Sequence, residues 1–135
     1  MVCIYCGSDT MVVNSRLQKR SNFVWRRRKC IKCKAIFTTE ESPDYLTSWR
    51  IKGFNGKLSP FSRDKLFLSI YKSCEHRKSA VQDASLITDS VIKGLITDSS
   101  NDGVIEDHLI KRSVLVALNR FDKAASTHYL AFHKS

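Results

Sequence analysis

The sequence predicts an α+β protein in two parts: a small all-β N-terminal domain and a mainly helical domain that opens with a short β-hairpin. Two Cys-x-x-Cys pairs lie in the first third of the chain, Cys3 with Cys6 and Cys30 with Cys33. That third is rich in aromatic and β-branched residues and shows no helical period, which favours strands. After Pro60, apolar residues recur three and four positions apart, which indicates helices. We place the domains at 1–44 and 45–135.

The first domain is expected to contain three short strands. They are predicted by the apolar and β-branched runs Met11–Val13, Phe23–Trp25 and Ala35–Thr39. A piece of about forty residues buries too little surface to fold unaided. The cysteines are therefore the candidates for stabilising this domain. Ser42-Pro43-Asp44 is interpreted as the turn or linker that follows it.

The second domain is expected to begin with a hairpin. Residues 49–52 alternate between apolar and basic side chains and predict the first strand. Asn55-Gly56 forms the tight turn, and Lys57-Leu58 belongs to the returning strand. Ser62 is a plausible N-cap for a first helix, a second helix is expected over about 80–97, ended by the polar run 97–103, and Asp107 could cap a third. A fourth short helix runs from about Lys123. The residues expected to face inward are Leu66, Phe67, Ile70, Tyr71 and Cys74, then Ala84, Ile87, Val91 and Leu95, then Leu109, Ile110, Val114, Leu118 and Phe121.

The spacing of the cysteines predicts a metal site. Each Cys-x-x-Cys can form a tight turn with both sulfurs pointing inward, and two such turns offer the four tetrahedral thiolates that structural Zn²⁺ accepts. Gly7 gives the first turn backbone freedom, and metal binding supplies on the order of 10 kcal/mol of folding free energy. Iron is the alternative ion for four thiolates, whereas redox pairs favour a βαβ setting that this sequence lacks. Cys74, on an apolar helix face, is read as a core residue.

The charge predicts a polyanionic partner. The chain carries a net charge of +10 and its pI is about 9.6. Its first 42 residues hold nine basic and three acidic side chains. Such a chain is typical of nucleic-acid binding, and a basic surface that serves only solubility is the alternative. The run Arg26–Lys29 leads directly into Cys30, with Arg16, Lys19 and Arg20 before it, although strand alternation prevents the whole run from pointing one way. Phe23 and Trp25 could stack on bases or pack the ribbon.

Several classes are disfavoured by what the sequence lacks. No apolar run approaches the roughly 20 residues of a membrane helix, and the N-terminus has no secretory signal, so we expect a soluble, cytoplasmic protein without membrane partners. The four histidines show no ligand spacing with carboxylates, and no nucleophile–base pair stands out, so no enzyme is expected. No phosphate-binding Gly-x-x-x-x-Gly-Lys loop is present.

The N-terminal motifs resemble the zinc ribbon of the NrdR family, the bacterial transcriptional repressors of ribonucleotide reductase genes. The resemblance rests on Met1-x-Cys3-x-x-Cys6-Gly7, Asn14-Ser15-Arg16-Leu17, Arg26-Arg27-Arg28-Lys29-Cys30-x-x-Cys33 and Phe37-Thr38-Thr39. The second part is similar to that family's ATP-cone domain through Arg50-Ile51-Lys52, Gly56-Lys57, Pro60-Phe61-Ser62-x-x-Lys65-Leu66 and Phe121–Ala125. Together these motifs cover nearly the whole chain.

The resemblance implies a zinc-dependent repressor that binds double-stranded operator DNA and changes its oligomeric state with ATP or dATP. By this likeness one structural zinc is held by Cys3, Cys6, Cys30 and Cys33. The residues implied to contact DNA are Arg16, Arg26, Arg27, Arg28 and Lys29. The residues implied to bind the adenine nucleotide are Arg50, Ile51, Lys52, Lys57, Phe61 and Lys65.

The chain departs from the family pattern mainly in its second part. The family usually has Asp where Asn14 stands, its hairpin lysine and glycine are one residue closer than Lys52 and Gly56, and Ser59 replaces an acidic residue. The last helix has Ser126, His128 and Tyr129 where the family has Tyr, Arg and Phe. These departures leave open an alternative: a nucleic-acid-binding zinc ribbon whose second domain serves only self-association, without nucleotide sensing.

Overall fold

The computed structural model describes residues 1–19, 22–98 and 102–133. It divides into two compact units, Met1–Pro43 and Asp44–Ser135. The first is all-β with a cysteine cluster and the second is mostly helical, so the predicted α+β class is confirmed. No helix within these described ranges is long and apolar enough to cross a bilayer.

The first unit is a three-stranded antiparallel sheet in which the second strand along the chain lies in the middle. The strands are β1 (Thr10–Gln18), β2 (Phe23–Cys30) and β3 (Ile36–Glu41). The pairing of β1 with β2 shifts by one residue between Val12 and Asn14, as in a β-bulge. All three predicted runs therefore lie in or at these strands.

The first unit has a very small core. Its buried apolar residues are Cys3, Cys30 and Phe37, with the half-buried Ala35 packed against them. None of the residues of β1 is buried. Hydrogen bonds between strands and the cysteine cluster must therefore hold this unit, because apolar burial contributes little.

The second unit contains a small sheet and five helices within the described residues. Its elements are α1 (Tyr45–Ser48), β4 (Arg50–Lys52), β5 (Leu58–Pro60), α2 (Arg63–Cys74), α3 (Ala80–Asp98), β6 (Val104–Glu106), α4 (Asp107–Phe121) and α5 (Lys123–Phe132). The predicted hairpin is present as β4 and β5, but β6 pairs parallel to β4 and makes the sheet three-stranded. The polar run expected to end α3 extends over 99–101, which lie outside the described residues.

Close backbone approach explains how β6 reaches the hairpin. Gly103 has a φ of +74°, and a Cβ on it would lie 2.8 Å from the carbonyl oxygen of Ser48. Its own carbonyl accepts a hydrogen bond from the Arg50 amide at 2.9 Å. Only glycine fits this position without strain, so Gly103 fixes where β6 enters the sheet.

The helices pack around one apolar core. The buried residues are Phe61, Leu66, Ile70, Cys74, Ala80, Ala84, Ile87, Val91, Ile92, Leu95, Ile105, Ile110, Val114, Leu118, Ala125 and Tyr129. Most of the predicted inward residues are among them or half-buried against them. Phe121 was expected to face inward and does not: it is 41% exposed, and the Arg77 guanidinium lies over its ring at 4.5 Å.

Of the helices α2, α4 and α5, two begin at a residue whose side chain caps the helix N-terminus, and one does not. The Ser62 hydroxyl accepts from the Lys65 amide at 3.2 Å, which confirms the predicted cap of α2. Asp107 was wrongly expected to cap α4; it is the first helical residue, and its carboxylate pairs with Lys111 at 2.9 Å. Asp122, which the sequence reading overlooked, caps α5 by accepting from the Ala124 amide at 2.9 Å.

Candidate metal centre and nucleic-acid interface

Four cysteines from two similar turns meet at one end of the first unit. Cys3 and Cys6 lie before β1, Cys30 ends β2, and Cys33 lies on the turn toward β3. In each turn the first cysteine's amide donates to a carbonyl five residues on, Ser8 for Cys3 at 2.8 Å and Ala35 for Cys30 at 2.9 Å. The two turns therefore present their sulfurs in the same way.

The four sulfurs are spaced as a tetrahedral metal requires. Cys3 Sγ lies 3.7 Å from Cys33 Sγ, and Cys6 Sγ lies 3.5 Å from Cys30 Sγ. All four lie within 4.8 Å of one another. A Zn–S bond of about 2.3 Å places tetrahedral corners about 3.8 Å apart, so the cluster fits Zn²⁺ with only small adjustments. Four protein ligands fill the coordination sphere, so the metal is structural.

The pKa values of the cluster thiols shift in opposite directions. Hydrogen bonds from Ser8 lower the pKa of Cys6 to about 6. At Cys33 the amide of Ala35 lowers the pKa, but burial and the neighbouring thiols outweigh it and raise the value to about 12. The neighbouring thiols thus oppose ionisation at Cys33, and a divalent cation at the centre of the cluster would offset that opposition.

Strand alternation separates the predicted DNA-binding residues onto two faces of the sheet. In β2, Trp25, Arg27 and Lys29 are exposed, whereas Arg26 and Arg28 are half-buried. Arg16 pairs directly opposite Trp25 and so joins the exposed side. We call the side that carries Arg16, Arg27 and Lys29 the cationic face.

The cationic face carries three basic side chains and one carboxylate, Glu40, which lies opposite Trp25 on β3. Among the described residues, no carboxylate forms an ion pair with Arg16, Arg27 or Lys29. Asn14 and Thr38 flank Arg27 on the two neighbouring strands, and sequence reasoning assigned neither of them. A shallow cavity of about 270 Å³ lies here, lined by Asn14, Ser15, Arg16, Trp25, Arg27 and Thr38.

The other two arginines are engaged within the first unit. Arg26 donates to the Ser15 hydroxyl at 3.0 Å and to the Glu41 carboxylate at 2.8 Å. Arg28 donates to the Thr10 hydroxyl at 3.3 Å, and its Nε is buried without a hydrogen-bond partner among the described residues. Both side chains tie β2 to its neighbours. Lys19 lies exposed just after β1, while Arg20 is outside the described residues.

The residues implied to bind a nucleotide fall around two neighbouring cavities of the second unit. Ile51, Phe61 and Lys65 line one of about 370 Å³, together with Tyr129 and His133. Lys52 lines the other, of about 720 Å³, beside Phe54, Gly56 and Glu106. Asp107 and Lys111 line both cavities. Arg50 and Lys57 are exposed and line neither.

Sequence reasoning missed the helical wall of these cavities. His133 Nε2 lies 2.6 Å from the Ser69 hydroxyl, and its ring lies 4.2 Å from that of Tyr129. Burial raises the pKa of Tyr129 to about 12, and burial and Lys111 lower the pKa of His133. Lys111 comes from α4, and Tyr129 and His133 come from α5 and its C-cap, all far from the hairpin in sequence, whereas Ser69 comes from α2. The Asp107–Lys111 spacing of four was the only local signal for any of them.

The fold and the cluster define a zinc-ribbon protein with a second, mainly helical unit. Residues 1–41 match the family model described as the transcriptional repressor NrdR-like N-terminal domain. Over 135 residues the chain is 32% identical to the transcriptional repressor NrdR of Syntrophotalea carbinolica, covering 99% of this chain and 84% of that protein. It is 32% identical to the one from Desulforapulum autotrophicum (99% and 80%) and 31% identical to the one from Pelobacter propionicus (100% and 89%).

The chain therefore belongs to the NrdR family.

Proposed function

We propose that the protein is a zinc-dependent transcriptional repressor that binds DNA through the cationic face of its ribbon. The relatives named above are called transcriptional repressors, and the four-cysteine cluster fits a structural zinc. The observation that carries the proposal is the cationic face: Arg16, Arg27 and Lys29 share one exposed side of a sheet that ends at the four-cysteine cluster. A repressor of this kind binds and does not catalyse, and it acts on cytoplasmic DNA.

The five residues implied to contact DNA lie on two faces of the sheet, and we assign a different role to each face. Arg16, Arg27 and Lys29 can contact phosphates or base edges of a duplex, because none of them forms an ion pair with a carboxylate among the described residues. Arg26 and Arg28 act from the opposite face by holding the strand in register through Ser15, Glu41 and Thr10. Loss of Arg26 or Arg28 should therefore reduce DNA binding mainly by loosening the ribbon.

DNA binding by zinc-loaded Arg27→Ala tests this assignment. The probe is duplex DNA from upstream of the ribonucleotide reductase genes of the source organism, and affinity is followed by fluorescence anisotropy. We expect the variant to bind about tenfold more weakly and to keep one zinc per chain. Lys78→Ala, which removes the same charge from an exposed position of the second unit, is the matched control and should bind normally. Equal affinity of both variants would contradict the proposal.

The finer proposal is that ATP and dATP control repression of ribonucleotide reductase genes through the second unit. Its support is chemical: the smaller cavity combines the apolar Ile51 and Phe61 with Lys65 and Lys111, which suits an adenine ring and its phosphates. A nucleotide shifts an oligomer equilibrium only through its different affinities for the oligomers, so the proposal requires homo-oligomers that bind it unequally.

Calorimetry with ATP and dATP tests this control, with light scattering in parallel. Binding that changes the oligomer mass and is weakened in Lys65→Ala would support it. Lys123→Ala, on α5 and outside the cavity lining, is the control variant. If folded, zinc-loaded protein binds neither nucleotide, the alternative holds: a DNA-binding ribbon whose second unit serves only self-association.

A further inference from the structure

A large aromatic side chain lies at the centre of the cationic face. Trp25 is 42% exposed, although it contacts the half-buried Phe23 with ring centroids 6.0 Å apart. Packing against Phe23 thus accounts for part of the indole and leaves the rest in solvent. Three cations on the same sheet lie outside the ion pairs of the described residues, and an indole this exposed beside them is suited to a flat, charged ligand.

The strand register surrounds Trp25 with polar and cationic groups. Arg16 lies opposite it on β1, and Glu40 lies opposite it on β3. Two residues further along β2, on the same side, Arg27 lies between Asn14 and Thr38. The cavity of about 270 Å³ is lined by these groups except Glu40.

The lining offers each kind of contact that a nucleotide makes. An indole face can stack on a base, an amide and a hydroxyl can both donate to and accept from base edges, and guanidinium groups can bind phosphate. Trp25 provides the first, Asn14 and Thr38 the second, and Arg16 and Arg27 the third. The apolar and polar parts lie in one cavity, so a single nucleotide can meet them together.

We propose that this cavity holds one unpaired base of a DNA strand, stacked on Trp25. In an intact duplex both faces of a base are covered by its neighbours, so stacking on the indole requires a base that is out of the stack. The cationic face then prefers DNA that is single-stranded or locally opened over a fully paired duplex of the same sequence. This inference rests on the proposed DNA binding by the same face.

The test uses the full-length, zinc-loaded Trp49→Phe variant, in which Trp25 is the remaining tryptophan. Two probes are compared: a fully paired duplex and the same duplex with one unpaired base at its centre. The unpaired base should bind more tightly and quench the Trp25 fluorescence more strongly. In the wild-type background, Trp25→Ala should weaken binding of the opened probe by about tenfold or more and change the paired duplex little. Trp25→Phe, which keeps a stacking face, should retain most of the preference.

Controls separate this inference from the proposed function. Phe132→Ala removes an exposed aromatic ring from α5, outside the lining of both cavities of the second unit, and should leave both affinities unchanged. Tight binding of both probes with no preference, or an equal loss in Trp25→Ala, would overturn the stacking site and leave duplex binding standing. Failure of the wild-type protein to bind either probe would overturn both the stacking site and the proposed DNA binding. Zinc content and the far-ultraviolet circular dichroism spectrum show whether each variant is folded.

Discussion

The two units of this chain are stabilised in different ways. Among the described residues, the ribbon buries only Phe37 and the cluster cysteines Cys3 and Cys30, whereas the second unit buries sixteen residues in a continuous core. The ribbon accordingly depends on metal ligation and strand hydrogen bonds, and the helical unit depends on apolar packing. The comparison teaches that a short segment can keep most of a cationic sheet exposed when metal ligation stabilises it. Without the metal, one face of the sheet would have to be buried in an apolar core.

Metal removal should give the largest difference between the units. Chelation should unfold the ribbon, since on the order of 10 kcal/mol of its folding free energy comes from the metal, and should leave the second unit folded. The measurement is a two-dimensional amide spectrum, in which signals from 1–43 collapse and those from the second unit persist. Cys30→Ser should reproduce the effect, whereas Cys74→Ala, outside the cluster, should keep one zinc per chain. A ribbon that stays folded without metal would contradict the claim that metal ligation stabilises this unit.

A core truncation should produce the reverse pattern. Leu118 is fully buried in α4, so Leu118→Ala should cost the second unit about 2–5 kcal/mol in the free energy of unfolding. The exposed Leu68 in α2 provides the matched control, and Leu68→Ala should cost less than about 0.5 kcal/mol. Chemical denaturation measures both. Zinc stoichiometry should be unchanged in each, and loss of zinc in Leu118→Ala would show that the units do not fold independently.

Acid should weaken the second unit through a smaller, local interaction. A hydrogen bond from His76 at 2.8 Å, supported by Arg77 at 3.2 Å, lowers the pKa of Asp122 from 3.8 to about 2. The folded state therefore favours the carboxylate, and this contribution is complete above about pH 4 and lost as the pH falls through about 2. Asp122→Asn should flatten the acid dependence of the second unit's stability.

Unfolding curves at several values of pH measure that dependence. Asp9→Asn changes an exposed carboxylate of the ribbon and should leave the second unit's acid profile as in the wild type. An acid profile of Asp122→Asn that matches the wild type would show that the His76–Asp122 contact contributes nothing to stability.

The sequence predicted the ribbon and the helices for different reasons. Cysteine spacing is a short pattern that almost determines the metal cluster, and long helices such as α3 carry enough apolar residues to show their period. By contrast, β6 has three residues and α1 four, too few for any periodicity. Phe121 was misassigned because the apolar period of α4 predicts only the direction in which a side chain points. Its contact with Arg77, which lies between α2 and α3, depends on how the helices pack.

The site could be predicted only in part from sequence. Alternation along β2 predicts that its basic run is divided between two faces, but which side stays exposed depends on the pairing with β1 and β3. The cavity walls of the second unit are built from residues such as Lys65 and His133, which are far apart along the chain. No local pattern brings such residues together, because their proximity is a property of the packed helices.

Salt dependence of DNA binding is the most direct test of the central claim that a metal-held ribbon binds DNA through one face. The zinc-loaded wild type is compared with the triple variant Arg16→Ala/Arg27→Ala/Lys29→Ala and with Arg26→Ala, using one duplex over a series of salt concentrations. Loss of three phosphate contacts should reduce the slope of log affinity against log salt by close to three in the triple variant, while Arg26→Ala keeps nearly the wild-type slope. An unchanged slope in the triple variant would contradict the account.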